Sequence, residues 1–132
     1  MHKVNPKKLL EAAANVMEKA YVPYSKFRVG SAILTADGAI VAGCNVENSS
    51  FGLTNCAERT ALFSAVAAGC TEFSAVAIVA DGDRKPYPCG ACRQVLAEFC
   101  RPDMPVFVAS RKNLNAFDRN TLGDLLPKAF RL

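Results

Sequence analysis

The sequence has 132 residues, of which 51% are apolar and 21% are charged. This length and composition suffice for one domain, residues 1–132, with a buried core, so neither a disordered chain nor a disulfide-stapled mini-protein is needed. Sixteen basic and twelve acidic residues give a net charge of +4, and no block of like charges is present in the sequence. This charge pattern does not indicate nucleic-acid binding. The one histidine is His2, so histidine catalysis and histidine-held metals have no other candidate.

Six cysteines could form three disulfides, a pattern typical of small secreted proteins. Here Glu11, Glu18 and Lys19 interrupt the basic start of the chain before the apolar core of a signal peptide can develop. The longest uncharged stretch, residues 60–71, is too short to span a bilayer. We therefore expect a cytoplasmic protein without membrane contact, whose cysteines are buried, metal-binding or catalytic rather than paired.

The first half of the chain predicts a helix followed by a hairpin. Asn5-Pro6 is typical of a helix start, and apolar residues at helical spacing continue the helix until it ends before Pro23. Two β-branched and apolar runs, residues 27–35 and 40–46, predict strands, and the Asp-Gly pair between them is a hairpin signal.

The second half predicts alternating strands and helices. The predicted helices cover residues 56–68, 90–100 and 121–126, and the predicted strands cover residues 73–80, 105–109 and, as a possible short fifth, 114–117. The first of these helices is apolar nearly all round, so we expect it to face both the sheet and another subunit. The element order predicts an α/β fold with three layers, α/β/α, around a mixed sheet of about five strands.

Cys89 and Cys92 form a Cys-x-x-Cys motif at a predicted helix start. The motif alone fits a redox pair, half of a structural zinc site or two core cysteines. Cys56 begins another predicted helix, and one strand lies between the two helices. Two helix starts joined through a strand can direct three sulfurs at a common point, and the positive end of a helix dipole favours thiolates.

Glu58 distinguishes a catalytic zinc from a structural one. A catalytic zinc has three protein ligands and a position for water, whereas a structural zinc has four protein ligands. A carboxylate two residues after Cys56 can take a proton from that water instead of binding the metal. Inert buried cysteines, or a structural zinc completed by Cys44, Cys70 or Cys100, remain the alternatives.

Residues 56–59 (CAER) and 88–94 (PCGACRQ) together resemble the small homotetrameric cytidine deaminases whose zinc ligands are all cysteines. The resemblance extends to residues 24–30 (YSKFRVG), 43–48 (GCNVEN) and 125–130 (LLPKAF), so it covers nearly the whole chain. It implies a cytidine-deaminase-like fold, one Zn²⁺ per chain and a homotetramer. The implied activity is hydrolytic deamination of cytidine and deoxycytidine to uridine and deoxyuridine, with release of ammonia, in pyrimidine salvage.

The resemblance also implies roles for individual residues. The matches to the zinc ligands are Cys56, Cys89 and Cys92, and the match to the proton shuttle is Glu58. The matches to nucleoside-binding residues are Phe27, Asn45, Glu47, Ala57 and Phe130. In the family these form the aromatic wall of the pyrimidine pocket, the pair that holds the ribose 3′-hydroxyl, a backbone contact to the base and an aromatic that reaches a neighbouring subunit's site.

Two further residues are assigned around the zinc ligands. Arg59 resembles an arginine that donates to ligand sulfurs, where it would offset the net negative charge of three thiolates and Zn²⁺. Gln94, two residues after Cys92, is interpreted as a polar residue that positions its helix. Phe51 departs from the family, which often has tyrosine there, so one hydroxyl contact is missing.

Three other functions stay open at this point. The same chemistry could act on another aminopyrimidine nucleoside, as in blasticidin-type deaminases, although Phe27 with Asn45 and Glu47 favours plain nucleosides. A deaminase that edits nucleic acid would need a basic groove and exposed aromatic side chains, which dispersed lysines do not supply. The third alternative is a non-enzymatic module stabilised by a four-thiolate zinc.

Overall fold

The computed structural model describes residues 3–132, so His2 and the interpretation attached to it lie outside the described residues. The helices are Pro6–Val16 (α1), Ala57–Ala67 (α2), Gly90–Phe99 (α3) and Leu122–Leu125 (α4). The strands are Val29–Thr35 (β1), Ile40–Cys44 (β2), Phe73–Ala80 (β3), Pro105–Ser110 (β4) and Asp118–Thr121 (β5). None of the helices in this range has the length and apolar character that crossing a membrane requires.

The strands form one mixed sheet in the order β2-β1-β3-β4-β5. Neighbouring strands are antiparallel except β3 and β4, which are parallel and are connected through α3. The predicted hairpin joins β1 to β2, and Gly38 in its turn has φ 96°, a conformation that favours glycine. Since α2 leads into β3 and α3 follows it, both helices begin at the carboxyl end of β3.

Helices cover both faces of the sheet, which confirms the predicted three-layer α/β/α fold. On one face, α2, α3 and α4 pack over residues such as Ile33, Ile78 and Val108. On the other face, α1 packs over residues such as Ala32 and Val79.

Two glycines let helices from opposite layers approach the sheet closely. A Cβ atom at Gly30 would lie 1.9 Å from the carbonyl oxygen of Ala13 in α1. A Cβ atom at Gly43 would lie 2.4 Å from the backbone nitrogen of Ala61 in α2. The position of α2, including its first turn, therefore requires a residue without a side chain at position 43, which is Gly43.

The fifth strand was predicted wrongly. It covers Asp118–Thr121 rather than residues 114–117. This strand pairs with β4 on one side only, and an edge strand does not need the apolar composition that the prediction relied on. The apolar residues Leu114 and Phe117 instead pack from a loop against the core under α1, where the Phe117 ring lies 5.6 Å from that of Phe107.

Two strand ends also differ from the prediction. β1 begins at Val29 rather than Phe27, and β2 ends at Cys44 rather than Val46. Beyond β2 the chain stays extended, because Val46 forms isolated bridges with Tyr21 and with Asn55. Residues 45–47 thus run between two loop segments instead of continuing the sheet.

Candidate active site

Three cysteine sulfurs meet at the carboxyl end of β3. Cys56 caps the start of α2, Cys89 caps the start of α3, and Cys92 lies in the first turn of α3. The Cys89 sulfur lies 3.9 Å from that of Cys56 and 3.5 Å from that of Cys92, and all three sulfurs lie within 4.8 Å of one another. The two helix starts therefore converge as predicted.

The spacing of these sulfurs fits zinc. Sulfurs about 2.3 Å from a tetrahedral metal lie about 3.8 Å from one another, which is close to the spacing that the cluster has. Thiolates also prefer zinc-like ions to magnesium or calcium. Among residues 3–132, Cys44, Cys70 and Cys100 lie outside this cluster, so the cluster offers three ligands and not the four of a structural zinc.

Glu58 is the buried carboxyl group beside the cluster. Its side chain is 5% exposed, and it lines the same cavity as Cys56 and Cys89. Burial raises the pKa of Glu58 to about 7, and the nearby Cys56 thiolate acts in the same direction, while backbone hydrogen bonding at the helix start lowers it. A carboxyl group with such a pKa exchanges protons readily near neutral pH.

Arg59 lies against the sulfurs. Its Nη2 donates a hydrogen bond to the Cys56 sulfur at 3.2 Å. The pKa of Cys56 is lowered to about 5, chiefly because the Cys92 thiol donates to it and also because Arg59 does. The pKa of Cys92 is raised in return by that hydrogen bond and by burial. Because zinc binds thiolates, the Arg59 charge favours the ionised form that a ligand needs.

Cys56 and Cys89 of the cluster line a cavity of about 240 Å³. The cavity walls are mostly apolar, and the polar side chains among the lining residues include those of Asn45, Thr54 and Glu58. The lining residues are Phe27, Val29, Asn45, Thr54, Cys56, Ala57, Glu58, Ile78, Pro86, Tyr87 and Cys89.

A comparison with protein families gives the same interpretation as the geometry of the cysteine cluster. The family model described as cytidine and deoxycytidylate deaminase zinc-binding region matches residues 3–108, which is most of the chain. The chain belongs to the cytidine deaminase family. The predicted zinc-dependent deaminase and its zinc cofactor are thereby confirmed.

Individual relatives cover nearly the whole chain. The cytidine deaminase of Sporosarcina psychrophila is 52% identical over 123 residues, which is 93% of this chain and 89% of the relative. The crystal structure of the cytidine deaminase from Burkholderia pseudomallei has a TM-score of 0.90 and 49% identity, covering 96% of this chain and 100% of that chain. The blasticidin-S deaminase of Bacillus cereus is 30% identical over 131 residues, covering 90% of this chain and 87% of the relative.

Two residues matched to ribose binding in cytidine deaminases are held by the segment before β1. Asn45 is buried and lines the cavity; its Nδ2 donates to the Phe27 carbonyl oxygen at 2.9 Å, and its Oδ1 accepts from the Val29 amide at 3.0 Å. Glu47 is not part of the cavity lining. Its carboxylate accepts hydrogen bonds from the backbone amides of Tyr24 and Ser25, both at 3.1 Å, and from the Ser25 hydroxyl.

These hydrogen bonds have two consequences for Glu47. The Ser25 hydroxyl is the main cause of its lowered pKa, with the backbone amides of Ser25 and Tyr24 acting in the same direction, so the carboxylate is charged at neutral pH. The carboxylate also ties the loop before β1 to the segment after β2. The structure thus brings Asn45 to the cavity, whereas Glu47, two residues further along the chain, binds Tyr24 and Ser25 outside the cavity lining.

Of the other predicted residues, some line the cavity and some do not. Phe27 and Ala57 line the cavity. Phe130 is 69% exposed and does not line the cavity of its own chain. Gln94 contacts Phe130 directly, because its Nε2 donates to the Phe130 carbonyl oxygen at 3.1 Å. Gln94 therefore holds the carboxyl-terminal segment against α3.

Sequence reasoning missed several residues of the cavity wall. Val29 and Ile78 line the cavity from β1 and β3, and the strand prediction assigned neither of them to a site. Pro86 and Tyr87 belong to the connection between β3 and α3, to which no site residue was assigned. The position of Tyr87 two residues before Cys89 was the available signal for its place beside the site.

Proposed function

We propose that the protein catalyses the hydrolytic deamination of cytidine and deoxycytidine to uridine and deoxyuridine, with release of ammonia, in pyrimidine salvage. The observation that carries this proposal is the buried Glu58 carboxyl group in one cavity with the sulfurs of Cys56 and Cys89. Membership in the cytidine deaminase family and the cytidine deaminase activity of the relatives named above support the choice of substrate.

Cys56, Cys89 and Cys92 would hold the zinc ion, which would supply the Lewis acidity that makes a water molecule nucleophilic near neutral pH. Glu58 accepts a proton from the attacking water and delivers it to N3 of the pyrimidine as the water oxygen bonds to C4. Glu58 then takes the remaining proton from the hydroxyl group on C4 and passes it to the amino group. The C4–N bond breaks, ammonia leaves, and the oxygen stays as the C4 carbonyl of the product. One carboxyl group thus serves first as base and then as acid.

Arg59 moderates the negative charge of the ligand set. Its hydrogen bond to Cys56 withdraws electron density from that sulfur, which preserves the Lewis acidity that three thiolates would otherwise diminish. Arg59 therefore acts through the ligand, and its expected effect is on rate more than on nucleoside binding.

The nucleoside is bound by the opposite part of the cavity. We assign the pyrimidine wall to Phe27, a base contact to the Ala57 backbone, and the 3′-hydroxyl to Asn45 and Glu47. The hydrogen bonds that hold Asn45 and Glu47 to the segment before β1 support this role, because the same segment carries Phe27, which lines the cavity. Since the 3′-hydroxyl is common to ribose and deoxyribose, both sugars should be accepted.

We propose further that the working unit is a homotetramer in which Phe130 completes a neighbouring subunit's site. The exposure of Phe130 and of Phe63 on the outer side of α2 supports subunit contacts at these places. The cavity of about 240 Å³ is also smaller than the roughly 300 to 1,000 Å³ of typical ligand pockets. The six free cysteines support a reducing cytoplasm, and the continuous sheet supports treating residues 1–132 as one domain.

The test is a substrate panel with purified enzyme. Cytidine and deoxycytidine should lose the absorbance of the aminopyrimidine and release ammonia, and a strong chelator should stop both reactions. Blasticidin S and single-stranded oligonucleotides serve as the competing substrates. Preference for either of these over cytidine, or cytidine turnover that survives complete zinc removal, would contradict the proposal.

A further inference from the structure

The loop of residues 81–88 forms part of the cavity wall. It connects β3 to α3 and leads directly into Cys89. Pro86 and Tyr87 at its end line the cavity, and Tyr87 keeps 44% of its surface exposed. A loop wall holds its shape only where side chains anchor it, so the contacts of this loop decide how well the wall is defined.

Ion pairs connect the loop to the residues just after β4 and to the first residue of the edge strand β5. They join Asp81 to Arg111 at 3.5 Å, Asp83 to Lys112 at 2.9 Å and Lys85 to Asp118 at 2.6 Å. The Asp83 and Lys112 side chains are 88% and 66% exposed, whereas those of Lys85 and Asp118 are 34% and 38% exposed. The pair at Asp118 is the short and partly shielded one, and shielded pairs are less weakened by salt.

Asp118 holds two residues of the loop at once. Its Oδ1 accepts a hydrogen bond from Lys85 Nζ, and its Oδ2 accepts one from the Tyr87 hydroxyl. Lys85 and Tyr87 are the neighbours of Pro86 in the chain. The carboxylate therefore binds the residues on both sides of Pro86, which lines the cavity. Lys85 is the main cause of the lowered pKa of Asp118, which stays charged at neutral pH.

Asp118 is itself firmly placed. It begins β5 and pairs with Val108 of the parallel core strand β4. The Tyr87 hydroxyl is therefore held by a residue of the sheet, while Tyr87 is one of the residues that line the cavity. A rigid aromatic wall loses less conformational entropy on binding a planar ligand than a free side chain does.

We propose that Tyr87 is a further nucleoside-contact residue and that Asp118 is the positioning residue that holds its ring against the cavity. The inference rests on the proposed function, since it takes the ligand of this cavity to be a pyrimidine nucleoside. Asp118 acts on nucleoside binding through Tyr87, not on the chemistry at Glu58.

The experiment compares steady-state kinetics on cytidine for D118A, D118N, Y87A and Y87F. We expect D118A to raise KM about threefold to tenfold, the range for loss of a charged hydrogen bond and a partly exposed ion pair, with kcat and zinc content within about twofold of wild type. Y87A should raise KM at least as much. D118N keeps a neutral acceptor for the Tyr87 hydroxyl, so its KM should lie between those of D118A and wild type. Y87F keeps the ring, so its KM should also lie between those of D118A and wild type.

A matched control is D103A, which breaks the exposed pair of Asp103 with Arg101 and should leave KM unchanged. The double variant D118A/Y87A separates positioning from general stability: because Asp118 acts through Tyr87, adding D118A to Y87A should not raise KM further. Additive effects would overturn the proposal. So would a D118A variant with a lower Tm or less zinc but the KM of wild type.

Amide hydrogen exchange gives a reading that does not depend on activity. Exchange at residues 82–87 should be faster in D118A than in wild type and unchanged in D103A. Equal exchange in D118A and wild type would overturn the anchoring role of Asp118. A wild-type enzyme without activity on cytidine would instead refute the proposed function, and the exchange comparison would still decide whether Asp118 holds the loop.

Discussion

The cysteine end of the site, formed by Cys56, Glu58, Cys89 and Cys92, differs from the proposed nucleoside-binding rim, formed by Phe27, Glu47 and Tyr87, in the elements that support it. The residues of the cysteine end lie at the starts of two helices, and Cys92 and Glu58 are buried. The residues of the rim lie outside the helices and the sheet, and Phe27 and Tyr87 are about half exposed. The groups proposed to carry the chemistry thus lie on rigid elements, whereas the groups proposed to contact the nucleoside lie on segments held by a few hydrogen bonds.

The two regions also differ in whether one chain brings all of their predicted residues together. Within a single chain the three sulfurs cluster, Arg59 donates a hydrogen bond to one of them, and Glu58 lines the same cavity as Cys56 and Cys89. On the rim, Phe130 of the same chain does not reach the cavity. We therefore expect substitutions at the cysteine end to remove metal or lower kcat, and substitutions at the rim to raise KM.

The largest effect is expected at a metal ligand. Cys92→Ser should abolish zinc binding and activity, because a buried serine hydroxyl replaces a thiolate. The triple replacement of Cys44, Cys70 and Cys100 by alanine should keep one zinc per chain and is the matched control. Metal content by atomic absorption measures both, and zinc loss in the triple variant would favour a four-thiolate structural site.

The next effect is expected at the proton shuttle. Glu58→Gln keeps the shape of the side chain but removes the proton acceptor, so kcat should fall about 10²- to 10⁴-fold while zinc stays bound. Glu98→Gln, an exposed residue of α3, should change neither quantity. Substantial turnover by Glu58→Gln would show that another group carries the proton and would break the assignment of chemistry to this end.

A smaller effect is expected where packing supports the cysteine end. Gly43→Ala places a Cβ against backbone atoms of Thr60 and Ala61, so α2 must shift, at a cost of about 1 to 3 kcal/mol in the free energy of unfolding. Gly52→Ala meets no atom within 4 Å and is the control. Urea unfolding compares them, with chelator-induced zinc release as a second measurement. Equal stability of both variants would mean that α2 is not held by this contact.

The smallest effect is expected at the rim. Phe130→Ala should raise KM about tenfold or less, as expected for one partly buried aromatic contact, with kcat unchanged. Leu132→Ala, at a fully exposed residue, serves as control.

Subunit mixing tests whether Phe130 acts across an interface. Phe130→Ala chains mixed with Glu58→Gln chains should regain low KM at the sites that keep Glu58, because the second chain supplies Phe130. A KM that stays high in the mixture would place the action of Phe130 within its own chain.

Features formed by residues close together in the sequence were predicted better than features formed by residues far apart in it. The helix starts at Cys56 and Cys89 and the carboxylate two residues after Cys56 were found, because capping and short spacings are local signals. β5 was missed because an edge strand of polar residues carries no apolar pattern. The Tyr87–Asp118 contact was missed because its partners are 31 positions apart and neither belongs to a motif.

The sequence by itself determined the fold class, and it predicted the convergence of three cysteines with an acidic residue beside them, since periodicity and motif spacing are properties of short segments. Only the tertiary structure decided that the three sulfurs lie within 4.8 Å of one another and that Glu58 is buried beside them. It also decided that Asn45 reaches the cavity and Phe130 of the same chain does not. These outcomes depend on how helices seat against the sheet, which involves contacts between residues far apart in the chain, such as Gly43 with Ala61.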